Sequence, residues 1–577
     1  MKTKGNFKIK ICSFAGKHDA MIGAFLINAV VLLLLLLLFA PSYNTNDDLA
    51  MCNMVDGSRG TYDVHLVFIH CAIGYLLKWL YMTFAMVPWY SVLQYGILFA
   101  SFTALTWVMW KRITASYCRL AFLVLLIGIS YQGYILLQFS RTASIASIAG
   151  VVLLLSGFFE EKLSVKVLVC GYILALLGFM YRYEQFMAVT ALLSGIGVLF
   201  LQQLKGDPKW KQRLISCFGV FAVLFALAAG LHLWDSYEYS SRDWQEYKKF
   251  NVLRSELYDY GFPSYEGNQE EYEELGLDET AFNLLCQYVH LDPDRITADT
   301  WQKLVDLRDP KRMDGEFWKG YVSALLFNVY QIPAFFMALF GVILWLAFNK
   351  RRLPETVVVL YELLLISAEY FYLYYAGRYF RDRVDMGLWM AVAVVVFWLL
   401  NQENKAFTLR AGVTSSLILL LAGLYIAYPN FRVNVAAGQE MTRPGEEGTL
   451  NAKKEMQKVF EEIGRDKEHL YLTKVVNLRV DDAYGPFDRL PDHVIGNLCP
   501  LGGWTSRSGS DQAILERYGV RNPFEEIVNN EKVYLVDDDI ASTVDYIRQW
   551  YAPDAKEKLV KTIGDCSVYQ IVEKRKR

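Results

Sequence analysis

The sequence predicts a mainly α-helical polytopic membrane protein with about eleven transmembrane helices, outer juxtamembrane helices and a small C-terminal extracytoplasmic α/β domain. Of the 577 residues, 54% are hydrophobic, and they form blocks near the roughly 20 residues that cross a bilayer as a helix. Polar, charged sequence fills 234–319 and the region after 430. A net charge of −2 and the lack of a basic, aromatic-rich stripe give no indication of a nucleic-acid partner.

The order of the spans follows from apolar blocks and basic loops. The blocks are 21–40, 62–86, 89–110, 117–138, 143–158, 165–181, 184–203, 212–233, 320–349, 354–376, 384–400 and 408–428. Lysine and arginine concentrate in short cytoplasmic loops. Here they mark four loops, at Lys111, Arg112 and Arg119; at Lys205, Lys209, Lys211 and Arg213; at Lys350, Arg351 and Arg352; and at Lys405 and Arg410.

One block cannot cross if the basic loops are all cytoplasmic. The basic N-terminus precedes the first block, which we interpret as an uncleaved span. Three crossings would then separate the N-terminus from the loop at Lys111. The block 62–86 contains four acidic or basic side chains, Asp63, His65, His70 and Lys78. Such groups are costly at mid-bilayer and common in interfacial helices. We therefore expect 62–86 to lie flat, with the N-terminus cytoplasmic and the C-terminus extracytoplasmic.

Five regions follow from this topology. They are a cytoplasmic basic N-terminus (1–20), a transmembrane module (21–233) with a first outer loop (41–88), an extracytoplasmic helical loop (234–319), further transmembrane helices (320–429) and a soluble extracytoplasmic α/β domain (430–577). The last alternates helix-like NAKKEMQKVFEEIG with strand-like HLYLT, KVYLVD and SVYQIV. The nine cysteines show no metal-ligand spacing. A disulfide between Cys499 and Cys566 is an alternative, and free thiols are the favoured interpretation.

Charged residues at the outer face indicate a site. The first span ends in LFAPSYNTNDDL, which places Asp47 and Asp48 outside. Arginines from three distant regions also fall at outer ends of spans, namely Arg141, Arg182, Arg378, Arg381 and Arg383. Basic residues are rare there, and a guanidinium suits phosphate oxygens. The alternative is local pairing, of Arg182 with Glu184 and of the late arginines with Asp382 and Asp385. Glu369, within a span, is either a polar site or an interhelical contact.

Carboxylates facing arginines at a membrane surface suit the transfer of a group from a lipid phosphate. The leaving phosphate needs cations, and the incoming hydroxyl needs a base. Adjacent side chains on a helix or strand do not face one point. One of the two is therefore predicted to be the base and the other its support. We take Asp47 as the proton acceptor and Asp48 as the support, with the reverse order left open. Arg182, Arg378 or Arg381 would bind the phosphate.

Five segments resemble the GT-C superfamily of polyprenyl-phosphate-dependent membrane glycosyltransferases, which includes protein O-mannosyltransferases and aminoarabinose transferases. They are NTNDD, the block 62–86, SRTASIASIAGVVLLLSGFF, CGYILALLGFMYRYEQFMAV and GRYFRDRVDMGLWMAV. The resemblance extends over about 20–430, although its motifs are short. A proline-rich PPL-type stretch common in the juxtamembrane helix is replaced by YDVHLVFIH.

The resemblance implies a GT-C-type fold and an enzyme of the bacterial plasma membrane. That enzyme would move a sugar from a polyprenyl-phosphate donor to a surface glycan, polymer or lipid acceptor on the extracytoplasmic face. Its members differ in whether they use a divalent metal, and we identify no metal ligands or other certain cofactor in this sequence. The catalytic candidates are Asp47 and Asp48; the phosphate-binding candidates are Arg182, Arg378, Arg381 and Arg141. Candidates for acceptor contacts or support are Glu184, Tyr183, Lys78, His65 and Glu369. A lipid-linked-sugar transporter or flippase and a non-catalytic membrane assembly subunit are the alternatives.

Overall fold

The computed structural model describes residues 17–113, 116–160, 163–308, 313–329, 333–348, 353–376, 381–400, 447–475 and 477–573. The predicted span 408–428, Arg378 and the basic loops at 350–352 and 405–410 lie outside the described residues.

The first half of the chain is helical apart from two short paired strands. Its helices are α1 (Lys17–Leu38), α2 (Asn46–Val55), α3 (Cys71–Thr83), α4 (Trp89–Arg112), α5 (Ser116–Tyr134), α6 (Phe139–Phe158), α7 (Val165–Tyr181), α8 (Tyr183–Gln203) and α9 (Trp210–Glu238). Strands β1 (Ser42–Tyr43) and β2 (Leu136–Leu137) pair in parallel. This pairing fixes the chain before α2 beside the chain that enters α6.

The middle of the chain has four helices outside the bundle and four that return to it. The first four are α10 (Arg242–Tyr260), α11 (Gln269–Glu274), α12 (Glu279–Cys286) and α13 (Ala298–Asp306). The others are α14 (Gly315–Val329), α15 (Pro333–Phe348), α16 (Leu353–Ala376) and α17 (Asp382–Leu399). The block 320–349, predicted as one span, therefore contains parts of two helices. Pro333 begins the second, where its missing N–H costs no helical hydrogen bond.

The helices confirm a mainly α-helical membrane protein. Among the described residues, α1, α4, α6, α8, α9 and α16 are long and apolar enough to cross a bilayer, and α5, α7 and α15 are shorter apolar helices. Helix α6 is almost entirely buried and packs against α4, α7, α8 and α17. Small residues in SRTASIASIAG let these neighbours approach it closely.

Gly150 marks a close approach between α6 and α7. A Cβ atom added there would lie 2.2 Å from the backbone nitrogen of Ala175 and 2.7 Å from the carbonyl oxygen of Gly171. Because both neighbours are backbone atoms, they cannot move aside by changing rotamer. We expect Gly150→Ala to lower the free energy of unfolding by about 1–3 kcal/mol, as measured by denaturation in detergent. A Cβ atom added at exposed Gly96 in α4 would meet no atom within 4 Å, so Gly96→Ala should not destabilise the protein; equal losses for both variants would contradict this packing.

The predicted flat helix at 62–86 is shorter than expected. Residues 62–70 are not helical, because their backbone groups bond to other segments: Asp63 N–H donates to Met54 O at 2.8 Å, and His70 N–H to Met180 O at 2.8 Å. His70 then caps α3 by accepting the Ala72 N–H at Nδ1. The 13 residues of α3 extend only about 20 Å, less than the roughly 30 Å bilayer core.

One face of α3 is apolar and exposed, through Tyr75, Leu76, Trp79 and Met82. These positions recur at helical spacing, and aromatic side chains favour the membrane interface. A short helix with such a face suits the interface, and its flat orientation stays a prediction.

The C-terminal region forms the predicted small α/β domain. Its strands β3 (Leu470–Thr473), β4 (Leu498–Pro500), β5 (Val533–Val536), β6 (Lys556–Ile563) and β7 (Cys566–Val572) form one sheet in the order β4-β3-β5-β7-β6. The helices are α18 (Glu447–Arg465), α19 (Val480–Ala483), α20 (Gly509–Arg517), α21 (Pro523–Glu526) and α22 (Ile540–Trp550). Pairs β3–β4 and β3–β5 are parallel, whereas β7 is antiparallel to β5 and β6.

The sheet and the helices of the 234–319 loop share one apolar core. Phe250, Leu284 and Trp301 from the loop are buried in the same cluster as Leu472 and Leu535 from the sheet. The 234–319 loop and the C-terminal domain, which the sequence separates by a series of spans, therefore pack as one body, called the outer body after its predicted location. The described cysteines, including Cys499 and Cys566, are free thiols, so the alternative of a disulfide between these two is wrong.

The outer body is fixed to the first outer loop by buried charges just after α2. Arg489 Nη1 lies 3.2 Å from Asp56 Oδ2, and Arg59 pairs with Asp511. The N–H of Ile495 also donates to the Ser58 carbonyl at 3.1 Å. These contacts place the C-terminal domain over the loop that contains the acid pair.

Candidate active site

The acid pair opens helix α2. Thr45 is the N-cap residue, and Asp47 and Asp48 lie in the first turn. Carboxylates are favoured there because the unpaired N–H groups of a helix start are electropositive. The β1–β2 pairing holds this turn next to the start of α6. The two acids therefore lie where the first outer loop meets the bundle.

Asp48 points into the protein and is fully buried. It accepts hydrogen bonds from the Tyr90 hydroxyl at 2.9 Å, from Gln94 Nε2 at 3.0 Å and from the Phe139 N–H at 3.1 Å. Gln94 in turn accepts from the Thr142 hydroxyl at 2.9 Å. Asp48 thus links α2 to α4 and α6. A buried carboxylate that accepts several hydrogen bonds can stabilise such a contact between helices.

The stability of the protein should depend on the titration of Asp48. Burial raises the pKa of Asp48 to about 7, although the bonds from Gln94 and Tyr90 oppose the shift. The unfolded value is about 3.9, so between these values the folded state binds the extra proton and stability falls as the pH rises. We expect Asp48→Asn to flatten the pH dependence of the unfolding temperature between about pH 5 and 7. An unchanged slope would contradict the assignment.

Asp47 points the other way, towards the start of α17. It accepts from Arg383 Nη1 at 3.2 Å and from the Thr45 hydroxyl at 3.3 Å. The side chains of Arg383 and Asp47 are 21% and 16% exposed, so a ligand can reach them. The two adjacent acids face different surroundings, and their roles as base and support stay a prediction.

Three arginines from different elements lie near the acid pair. Arg383 comes from the first turn of α17, and Arg182 joins α7 to α8. Arg182 Nη1 donates to the Ser140 hydroxyl at 2.8 Å, and its Nε lies 3.6 Å from Glu184 Oε2. Ser140 follows Phe139, whose N–H bonds to Asp48. The structure therefore brings Arg182 and Arg383 to the same helix ends as the acid pair.

Arg141, the third of them, has a different position from the one predicted. Its side chain is 1% exposed, donates to the Leu136 carbonyl at 2.9 Å and lies 2.5 Å from Asp382 Oδ2. A guanidinium enclosed in this way cannot contact a substrate phosphate directly. We therefore reassign Arg141 as a positioning residue that ties α6 to the start of α17. Asp382 pairs with Arg141 while Arg383 reaches Asp47, in place of the local pairing considered for the late arginines. The local pairing considered for Arg182, with Glu184, is present.

The remaining candidates lie in separate surroundings. Arg381 is exposed at the N-cap of α17, and Arg378 lies outside the described residues. Tyr183 is half exposed and packs on His232, with ring centroids 5.8 Å apart. His65 bonds to Asp63 at 2.8 Å and packs against Tyr239 and Trp244, which explains it as a packing residue. Lys78 and Glu369 belong to α3 and α16, away from the acid pair in the chain.

Sequence reasoning missed Tyr90 and Gln94, the two side chains that bind Asp48 from α4. Gln94 is an amide within the apolar block 89–110, and an amide inside a span is costly unless it is hydrogen-bonded. That signal could have identified Gln94. Nothing comparable marks Tyr90, since tyrosines are frequent near span ends.

A small cavity lies beside α2 on the side of the C-terminal domain. Its volume is about 120 Å³, and its lining includes Asn46, Asn53, Arg59, Trp504 and Thr505. The side-chain oxygen of Asn53 is buried without a hydrogen-bond partner among the described residues. Polar groups and one aromatic ring therefore line a cavity whose wall includes Asn46, the residue before Asp47 in the chain.

The structure groups potential metal ligands in one place among the described residues, and this group does not include the acid pair. His70, Cys71 and Asp235 place one ligand atom each within 4.8 Å of one another. His70 Nδ1 accepts the Ala72 N–H, and Asp235 accepts the Cys71 N–H at 2.9 Å. These bonds explain the group as a helix cap. It includes neither Asp47 nor Asp48.

Comparison with known proteins gives structural similarities only. No protein-family model and no curated protein matches the sequence. The structure is similar to the Archaeoglobus fulgidus oligosaccharyltransferase, crystallised with Zn and sulfate, at 11% identity over 96% of this chain and 73% of that chain, with a TM-score of 0.40. It is also similar to ArnT from Cupriavidus metallidurans bound to undecaprenyl phosphate, at 10% identity over 95% of this chain and 97% of that chain, with a TM-score of 0.40.

Both of these proteins are glycosyltransferases of the GT-C class that the sequence resembles.

Proposed function

We propose that this protein is a GT-C glycosyltransferase that moves a sugar from a polyprenyl-phosphate donor to a surface glycan, polymer or lipid acceptor on the extracytoplasmic face. One observation carries the proposal. A partly exposed carboxylate, Asp47, lies 3.2 Å from Arg383, beside a second acid that is fixed in the core. A base and a phosphate-binding cation are thus adjacent at the end of a membrane bundle.

The chemistry uses these two groups in one step. The acceptor hydroxyl oxygen forms a bond to the anomeric carbon of the donor sugar and gives its proton to Asp47. The bond from that carbon to the phosphate oxygen breaks, and its electron pair leaves with the polyprenyl phosphate. Arg383 and Arg182 stabilise the charge that develops on the phosphate. Arg383 contacts the base and the leaving group at once, which aligns them.

The position of the arginines suits a lipid-bound donor. The prenyl chain stays in the bilayer, so its phosphate must be bound at the membrane edge. Arg182 lies between α7 and α8, and Arg383 lies at the start of α17, where helices of the bundle end. A planar guanidinium can bind two phosphate oxygens at such a site.

The cavity beside α2 supports an acceptor that arrives from the outer body. Asn46 lies on the cavity wall, one residue before Asp47. Amide groups and an indole ring, here Asn53 and Trp504, are the side chains that bind sugar hydroxyls and sugar faces. Donor and acceptor would then meet at Asp47 from opposite sides.

A transfer assay tests the proposal. Purified protein is incubated with radiolabelled polyprenyl-phosphate sugars and a cell-envelope extract as the source of acceptor. We expect label to move into acceptor with the wild type and not with the folded double variant Asp47→Asn/Asp48→Asn. Full transfer by that variant would contradict the catalytic assignment. Passage of intact donor across a reconstituted bilayer without transfer would support the flippase alternative instead.

A further inference from the structure

The loop between α2 and α3 contains one tight turn in an uncommon backbone conformation. Val67 has a φ of 67°, which a side chain branched at its β-carbon rarely adopts. The Phe68 N–H donates to the Leu66 carbonyl at 2.8 Å, and this bond closes a three-residue γ-turn around Val67. A γ-turn with positive φ is strained. Such strain persists where the surroundings enforce it, and it is concentrated at functional sites.

Buried contacts hold this turn in place. Leu66 and Ile69, on either side of Val67, are buried in the core beneath the C-terminal domain. The Val67 N–H donates to the hydroxyl of Tyr239 at 3.0 Å, and Tyr239 is itself buried at the end of α9. Phe68, in contrast, is only partly buried and packs at the edge of that core. The turn therefore places Phe68 outside the core that encloses its neighbours.

The ring of Phe68 lies between the two halves of the proposed site. On the side of the bundle it stacks on Phe139, with ring centres 5.9 Å apart and 10° between the ring planes. On the side of the C-terminal domain its ring centre lies 4.7 Å from that of Trp504. The Phe139 N–H donates to Asp48, whereas Trp504 lines the cavity beside α2. Phe68 thus connects the surroundings of the acid pair with the wall of the cavity.

Both neighbouring rings are fixed by further contacts. The Arg182 guanidinium carbon lies 5.3 Å from the ring centre of Phe139, within the range of a favourable cation–π contact. Arg182 is one of the two arginines proposed for the donor phosphate. The Trp504 carbonyl accepts from the Tyr247 hydroxyl at 2.7 Å, so the backbone of the cavity wall is fixed as well. A change at Phe68 would therefore alter the distance between two parts that are otherwise well fixed.

The proposed reaction depends on that distance. The acceptor oxygen must approach the anomeric carbon in one geometry, and a displacement of about 1 Å can cost about 100-fold in rate. Phe139 begins α6 of the bundle, whereas Trp504 follows β4 of the C-terminal domain. We propose that Phe68 is a positioning residue that holds the acceptor cavity at a fixed distance from the arginines that bind the donor phosphate. This inference rests on the proposed function.

Kinetics with donor and acceptor varied separately test this role. The assay follows the transfer of label from a polyprenyl-phosphate sugar to a cell-envelope extract. For Phe68→Leu we expect kcat to fall about 10–100-fold and the extract concentration at half-saturation to rise, while KM for the donor stays unchanged. Leucine keeps an apolar side chain but has no planar ring, so the variant should fold. Phe68→Tyr keeps the ring and should turn over the donor as the wild type does.

Phe84→Leu is the matched control. Phe84 belongs to the same outer loop, is half exposed, and its ring centre lies 6.1 Å from that of Trp89. Neither of these two rings lines the cavity, so this variant should show wild-type kinetics. Wild-type kinetics for Phe68→Leu, an equal loss in Phe84→Leu, or an effect confined to KM for the donor would overturn the proposal. If the wild type transfers no sugar, the proposed function fails and this inference with it, whereas an active wild type separates the two.

Discussion

Replacing Asp47 with asparagine should abolish most sugar transfer while leaving the protein folded. Asparagine keeps the size of the side chain and can still accept from Arg383 and Thr45, but it cannot take the proton of the acceptor hydroxyl. Loss of a general base costs about 10²–10⁴-fold in rate. The turnover of labelled polyprenyl-phosphate sugar by purified protein measures the effect, and binding of the donor should change little.

Asp63→Asn is the matched control for this prediction. Asp63 belongs to the same outer loop, its side chain is also 16% exposed, and it pairs with His65 at 2.8 Å. We expect this variant to turn over the donor at the wild-type rate. Comparable losses in the two variants would show that the effect of Asp47→Asn is general to the loop and would contradict its role as the base.

Arg383→Gln should lower turnover by about 10²–10³-fold, the loss usual for one donor to a developing negative charge. The variant removes the cation 3.2 Å from Asp47 and one of the two guanidinium groups proposed for the leaving phosphate. Arg383→Lys should recover only part of the activity, because an ammonium cannot bind two oxygens in a plane. Initial rates over a range of donor concentrations measure both variants.

Arg242→Gln is the control for the loss of an outer-face arginine. Arg242 pairs with Glu246 at 2.8 Å and is 89% exposed on α10. Its loss should leave the rate unchanged, since exposed pairs contribute little. If Arg383→Gln turns over donor as fast as Arg242→Gln, then Arg383 does not contact the leaving phosphate.

The sequence predicts the membrane helices and the outer location of the acid pair because both depend on local composition. Apolar blocks of span length can be read directly from the sequence, and so can the Asp-Asp pair that follows the first of them. The positive-inside rule also indicates which arginines are exceptional. It does not say which of them a ligand can reach, because reach depends on burial. Arg141 is enclosed and Arg383 is accessible, although both belong to the same sequence pattern.

The parts that could not be predicted depend on contacts between distant segments. The hydrogen bond from Tyr90 to Asp48 forms only if α4 enters the bundle at the right angle. The hydrogen bond from Arg489 to Asp56 joins residues 433 positions apart. The helix predicted over 62–86 fails in 62–70 for the same reason, because backbone bonds to Met54 and Met180 replace helical ones. Periodicity describes a segment alone, and these outcomes depend on its neighbours.

The position of a bound donor phosphate tests the central claim most directly. A cryo-electron microscopy structure of the wild-type protein with undecaprenyl phosphate would show it. We predict phosphate oxygens within hydrogen-bond distance of the guanidinium groups of Arg383 and Arg182, on the side of Asp47 that faces away from Asp48. A phosphate bound away from both arginines, with Asp47 still paired to Arg383, would contradict this assignment.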